Sequence, residues 1–192
     1  MARWEDNAAG RLQDAAIELY GERGYDKVTV AEIAERAGLT RRTFFRYFED
    51  KREVLFFGAE TLEAFVRDDI LLGKPGTPVL AAVATAFLGV ARHADDDAAF
   101  ADFARRRHAL TRAYAELRER ELSKLASLAS ACAAALRRRG CGEPAASLAA
   151  EAGVAAFKVG FGRWIDDPKL GTMVHHVREA MLVLGSLVLE GV

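Results

Sequence analysis

An all-helical fold is the first expectation from this 192-residue chain, and three observations carry it. Alanine and leucine dominate, there are only four prolines, and no long run alternates β-branched with polar residues. Apolar residues recur instead at three- and four-residue spacing, the period of a helix with one buried face. About nine helices are expected, in one or two compact domains with ample material for a core. Hydrophobic residues make up 51% and charged residues 29%, an ordinary composition for a soluble protein.

The first helix is expected from about Asn7 to Arg23, with Leu12, Ala15, Ala16, Leu19 and Tyr20 on one buried face. After Tyr25-Asp26-Lys27-Val28, Thr29 is placed to N-cap a second helix, and Glu32 completes a capping box. Ile33, Ala34 and Ala37 form a short inward stripe, and Ala34 is small enough for a neighbouring helix to approach closely. Gly38 falls where a helix ends in a left-handed residue. Leu39 anchors the turn, Thr40 caps a third helix over Arg41 to Phe48, and Phe44 and Phe48 share its buried face. Arg41, Arg42, Phe45, Arg46 and Tyr47 remain on or beside its outer face. Two short helices joined by a glycine turn, with arginines opening the second, form a helix-turn-helix that lays a helix in the DNA major groove. The arginines suit bidentate contact to guanine edges and also suit phosphates. Lys51 lies near the N-terminus of a fourth helix, where it adds a phosphate contact to the helix dipole.

That fourth helix is expected from about Lys51 to Leu71, long enough to join the N-terminal part to the rest. Gly73-Lys74-Pro75-Gly76-Thr77-Pro78 is the clearest break in the chain. Beyond it, helices are expected over Val79 to Arg92, Ala98 to His108 and Thr111 to Arg139. Asp95-Asp96-Asp97 ends the first of these and can cap the next; Arg137-Arg138-Arg139-Gly140 ends the last, with cations on the negative end of the dipole. Pro144 opens a helix through Ile165 that Asp166-Asp167-Pro168 stops, and a final helix runs from Gly171 or Thr172 to Leu189. Ala152, Ala156 and Gly160 make a small-residue stripe on the first of this pair. The second carries Val174, Val177, Met181, Leu184 and Val188 in line and becomes apolar nearly all round. A terminal helix apolar on every side points to burial by a second copy of the chain; burial within one chain is the alternative.

Over its first ~57 residues the chain resembles the DNA-binding domain of the tetracycline-repressor (TetR) family. The resemblance rests on Gly24-Tyr25, on Thr29-Val30-Ala31-Glu32-Ile33-Ala34-Glu35-Arg36-Ala37-Gly38, and on Thr43-Phe44-Phe45-Arg46-Tyr47-Phe48-Glu49-Asp50-Lys51. It implies a DNA-binding domain over residues 1–57 and an effector-binding and dimerisation domain over 58–192. It implies that Thr29, Thr40, Thr43, Tyr47 and Lys51 meet the phosphate backbone, that Arg41 and Arg42 face bases, and that Phe45 lies at the groove wall. Phe45 replaces a usual tyrosine and lacks its hydroxyl, leaving apolar contact with a thymine methyl. Arg42 stands where a small residue is common. The resemblance further implies a homodimer through the last two helices and a cavity for a small, largely apolar effector. Phe87, Phe103, Arg107, Phe157, Phe161 and Trp164 are its candidate lining, with the arginine suited to an anionic head group.

The net charge of −1 argues against a histone-like coating of DNA. Residues 1–57 hold 10 Lys and Arg against 11 Asp and Glu, yet residues 41–52 concentrate five cations against two acids. No Ser/His/Asp order, HExxH, phosphate-binding glycine loop or paired-carboxylate spacing points to an enzyme. A helical small-molecule binder or enzyme with a merely structural N-terminal part is the rival reading. Cys132 and Cys141 lack metal or disulfide spacing; His175-His176 could serve as metal ligands, but neighbouring helical positions point in different directions and favour structural or exposed roles, so neither a metal nor a cofactor is expected. MARWEDNAAG has no signal-peptide apolar stretch, and the expectation is a cytoplasmic, dimeric, sequence-specific transcriptional regulator, most simply a repressor bound to a pseudo-palindromic operator.

Overall fold

The computed structural model describes residues 8–167 and 169–189. Asn7 and Pro168, read above as a helix start and a helix stop, lie outside these residues, as does the side chain of Val188. Among the described residues there are nine α-helices and no strand. They are α1 (Ala8–Arg23), α2 (Val30–Arg36), α3 (Arg41–Tyr47), α4 (Ala59–Leu72), α5 (Val79–Asp95), α6 (Ala98–Ala113), α7 (Ala115–Arg138), α8 (Ala145–Asp166) and α9 (Met173–Leu189). Two 3-10 turns, Tyr25–Lys27 and Glu53–Phe56, flank the helix-turn-helix.

Two boundaries differ from expectation. The fourth helix begins at Ala59 and not at Lys51, because Glu53–Phe56 tightens into a 3-10 turn and Gly58 takes a left-handed φ of 89°. The division between α6 and α7 falls at Tyr114, several residues later than expected.

By its contacts the chain divides into two units: residues 1–59 with 103–122, and residues 60–102 with 123–192. In the first, Leu12, Tyr20, Tyr25, Ile33, Phe44, Phe48, Val54 and Leu55 form a core closed by Leu110 and Leu117. The segment 103–122 joins this unit for definite reasons. Tyr114 packs its ring 5.4 Å from that of Tyr25, whose hydroxyl donates to Glu116 at 3.1 Å. Arg120 pairs with Glu53, and the guanidinium of Arg107 sits 5.7 Å from the centre of the Phe56 ring.

In the second unit α8 and α9 pack along each other and α5 packs on both. Asp95, at the end of α5, caps α9 by accepting from the amides of Met173 at 2.7 Å and Val174 at 3.0 Å. Asp97 caps α6 as expected, accepting from the amides of Ala99 and Phe100. Arg139 donates to the Ile70 and Lys74 carbonyls at the end of α4. The small-residue stripe of α8 serves this packing. A Cβ at Gly160 would stand 2.7 Å from Val177 Cα and 2.9 Å from the His176 carbonyl oxygen. Val177 and Met181 are likewise buried within the chain. The side chains that remain exposed are others: Leu148 (66%) and Val159 on α8, Leu182 (68%), Val183 and Leu187 on α9.

Candidate nucleic-acid interface

The helix-turn-helix is held in shape by short-range chemistry. Thr29 has extended backbone and its hydroxyl accepts from the Glu32 amide, while Glu32 Oε2 accepts from the Thr29 amide at 2.8 Å and hydroxyl at 2.7 Å. Those bonds from Thr29, with a smaller contribution from Arg23, hold the Glu32 carboxyl at about 2, well below the usual carboxylate range. At the other end of α2, the amide of Leu39 donates to the Ala34 carbonyl at 2.8 Å and that of Gly38 to Glu35 at 2.9 Å. This pair of bonds is the Schellman motif, and it requires the left-handed φ of 65° that Gly38 adopts. Arg11 of α1 reaches the Ala37 carbonyl at the same turn.

Thr40 caps α3 by accepting from the Thr43 amide at 3.1 Å, with the two hydroxyls 3.0 Å apart. Phe44 and Phe48 are buried with their rings 5.4 Å apart, as their spacing requires. The opposite face of α3 is exposed. Arg41 lies with its guanidinium 5.4 Å from the Phe45 ring centre, and Phe45 is 46% exposed. Arg46 donates to the Tyr47 hydroxyl at 3.0 Å and lies against that ring. Arg42 is exposed beside them. Three guanidinium groups, one phenyl and one phenol thus make a cationic surface on a rigid seven-residue rod. Such a surface offers planar donors to base edges and phosphates and an apolar face to thymine methyls.

Lys51 has partners within the chain. Its ammonium turns inward, donating to the carbonyls of Tyr25 at 2.8 Å and Val28 at 3.2 Å and lying 4.1 Å from the Tyr25 ring centre. The Lys51 carbonyl accepts from the Tyr20 hydroxyl at 2.7 Å. Burial, then the nearby Tyr25 and Asp50, push the Tyr20 hydroxyl far above its ordinary range, so it stays a donor. Lys51 therefore braces the turn ahead of α2. Its direction was not legible because its partners are backbone carbonyls more than twenty residues away.

The candidate effector residues fall in both units. Phe87 and Phe157 stack at 4.6 Å, and Phe161 and Trp164 continue the row at 6.3 and 5.8 Å, all in the second unit. Phe103 and Arg107 belong to the first unit, where Phe103 packs on the core and Arg107 faces Phe56 and Glu121. Desolvation presses Arg107 below the ordinary arginine pKa, while Glu121 opposes that shift. The Phe100 ring stacks on Trp164 at 6.4 Å.

Two family models match this chain. Residues 12–56 fit the model described as bacterial regulatory proteins, tetR family, and residues 77–188 fit the MftR C-terminal domain. A similar protein is the candidate mycofactocin biosynthesis transcriptional regulator MftR of Mycobacterium tuberculosis, 44% identical over 43 residues, 22% of each chain. The alignment thus spans about a fifth of that relative's length. Among solved structures, FadR of Thermus thermophilus, a repressor in complex with lauroyl-CoA, is 21% identical over 92% of each chain with a TM-score of 0.55. FadR of Bacillus subtilis, in complex with stearoyl-CoA, is 19% identical over 91% of this chain and 96% of its own, with a TM-score of 0.60. Both likenesses establish a shared fold. Among the described residues no helix is long and apolar enough to cross a membrane. Since the two family models together account for the helix-turn-helix and for more than half of the remaining sequence, the chain belongs to the tetR family of regulatory proteins, which are transcriptional regulators and not enzymes.

Proposed function

We propose that this protein is a homodimeric, sequence-specific repressor released by a small, largely apolar effector. The observation that carries the reading is the outer face of α3, where Arg41, Arg42, Phe45, Arg46 and Tyr47 stand exposed on a helix fixed by Thr40, Thr43, Phe44 and Phe48. Arg41 and Arg42 read base edges in this reading, and Thr43, Arg46 and Tyr47 set the register on phosphates. Thr29 and Thr40 place their helix N-termini against the backbone. Two copies of α3 enter successive major grooves of a pseudo-palindrome, about 34–36 Å apart or a small multiple of that.

The dimer joins through α8 and α9. Leu148, Val159, Leu182, Val183 and Leu187 support this, because a monomer gains nothing by presenting so many large apolar side chains on two adjacent helices. The effector binds at the aromatic row Phe87, Phe157, Phe161 and Trp164. An acyl thioester is the first class to test, given the lauroyl-CoA and stearoyl-CoA complexes of the two similar folds. A differential affinity of about 1–3 kcal/mol between states would change operator occupancy roughly 5- to 150-fold.

The test is selection of bound sequences from random DNA with the purified full chain, repeated with acyl-CoA thioesters present. A palindromic consensus whose recovery falls with the thioester is expected. Recovery of no sequence above background would overturn sequence-specific binding, and a consensus indifferent to thioesters and lipophilic acids would overturn the effector class.

A further inference from the structure

We propose that His175, His176 and Glu179, at the start of α9, form a binding site for a divalent transition-metal ion of the zinc class. Adjacent helical positions point about 100° apart, which favours structural or exposed roles for the pair on sequence grounds. The two imidazoles nevertheless converge, with ring centres 5.2 Å apart at 72°. One ligand atom from each of His175, His176 and Glu179 lies within 4.8 Å of the others.

His176 supplies the independent observation. It is 1% exposed, and among the described residues neither Nδ1 nor Nε2 has a hydrogen-bond partner. Buried polar groups are almost always satisfied, and leaving one unsatisfied is costly. A metal ion on the nitrogen that faces His175 and Glu179 gives that one of the two nitrogens a partner. His175 and Glu179 are the i and i+4 pair on the solvent side, half-exposed, with Nε2 and Oε1 3.7 Å apart, so the ion has a path of entry. Arg163 takes the other carboxylate oxygen of Glu179 at 3.5 Å, which leaves Oε1 turned toward the imidazole. Asp95, the acid at the α9 terminus, is already spent on the Met173 and Val174 amides.

Two imidazole nitrogens and one carboxylate oxygen select zinc, cobalt or nickel over magnesium or calcium. Tetrahedral ligation at about 2.0–2.1 Å places donors about 3.4 Å from one another. The donors must draw together from their present spacing of up to 4.8 Å, with the buried His176 as the fixed point. Three protein ligands leave a fourth position for water or an anion. The site shares no residue with the helix-turn-helix or the aromatic row, and it lies on α9, one of the two helices assigned to the dimer.

The experiment uses the full chain without a histidine tag, stripped with chelator and titrated with Co2+ followed by its visible d–d absorption, then with Zn2+ by calorimetry. One equivalent per chain is expected, with a tetrahedral cobalt spectrum that Zn2+ quenches. His175→Ala and Glu179→Gln should each weaken binding at least tenfold while leaving the helical circular dichroism unchanged, and His93→Ala should not alter it. His176 is buried, so His176→Ala is read only alongside those solvent-side variants. Binding below one equivalent, or binding that survives both solvent-side substitutions, or that His93→Ala removes, overturns the assignment. None of these outcomes depends on DNA binding.

Discussion

Replacing Gly160 by alanine pits two opposed effects of similar size, and the structure says which wins. In an open helix the change stabilises by about 0.5–1 kcal/mol, because glycine loses more backbone freedom on folding. At Gly160, however, the new Cβ meets Val177 Cα at 2.7 Å, the His176 carbonyl oxygen at 2.9 Å and the Val177 amide nitrogen at 2.9 Å. Ordinary contact begins near 3.4 Å, so α8 and α9 must separate by about 0.7 Å along their closest approach. The obstructing atoms are all backbone, and no rotamer change relieves them. With only backbone to yield, the cost falls in the upper part of the about 1–3 kcal/mol typical of overpacking, leaving a net loss of about 1–2 kcal/mol. With an m-value of about 2 kcal/mol/M, the urea midpoint should fall by roughly 0.5–1 M at fixed protein concentration. Gly21→Ala is the control, since a Cβ there meets nothing within 4 Å in α1, and its midpoint should hold or rise. An unchanged or raised midpoint for Gly160→Ala would refute the claim that α8 and α9 touch backbone to backbone.

The capping box and the thiols give two further tests. Glu32 is depressed to about 2 from 4.5, so its contribution is complete above pH 4.5 and is lost as pH falls toward and through 2. Urea midpoints of the protein and of Glu32→Gln should therefore differ at neutral pH and converge across that window; a constant offset would refute the assignment. Burial first, then the Glu63 carboxylate, pushes the Cys132 thiol up to about 12, whereas Cys141 is only half-buried. A disulfide reagent should titrate Cys141 in the folded protein and Cys132 only on unfolding. Equal rates in the folded state would contradict that burial.

What was legible in the sequence was local. The Thr29–Glu32 box, the Gly38 turn and the Arg137–Gly140 stop each close within six residues, so composition at fixed offsets determines them. At the last of these, Cys141 and Gly140 donate to the Leu136 and Arg137 carbonyls while Gly140 takes a φ of 87°, repeating the Gly38 geometry. The break at Tyr114 has no such marker. Ala113-Tyr114-Ala115 reads as continuous helix, and what distinguishes it is contact with Tyr25, a residue far away in sequence. The unit to which Phe103 and Arg107 belong is not legible for the same reason: aromatic and arginine positions on one helix face say nothing about which core that face meets. The α8 stripe was read correctly as permitting close approach, but small residues do not specify whether the approaching helix belongs to the same chain.

Net charge is the weakest guide to what α3 can do, because five acids of the first unit are paired with cations away from its outer face. Glu18 and Glu22 pair with Arg36, Glu32 with Arg23, Asp50 with Arg52, and Glu53 with Arg120. No such ion pair holds Arg41 or Arg42 among the described residues, so their charge is available at a surface. Each phosphate neutralised contributes about 0.9 to the slope of log affinity against log salt. Arg42→Ala should lower that slope by about one per subunit if it meets a phosphate. If it reads a base edge, the substitution should cost about 1–3 kcal/mol and relax preference at one position with a near-constant slope. Lys51→Met is the contrasting case, since its ammonium serves the Tyr25 and Val28 carbonyls: it should lower the unfolding midpoint, leaving the salt slope of the folded fraction unchanged. A slope reduced by Lys51→Met at undiminished stability would place that ammonium on DNA and refute its role as a brace.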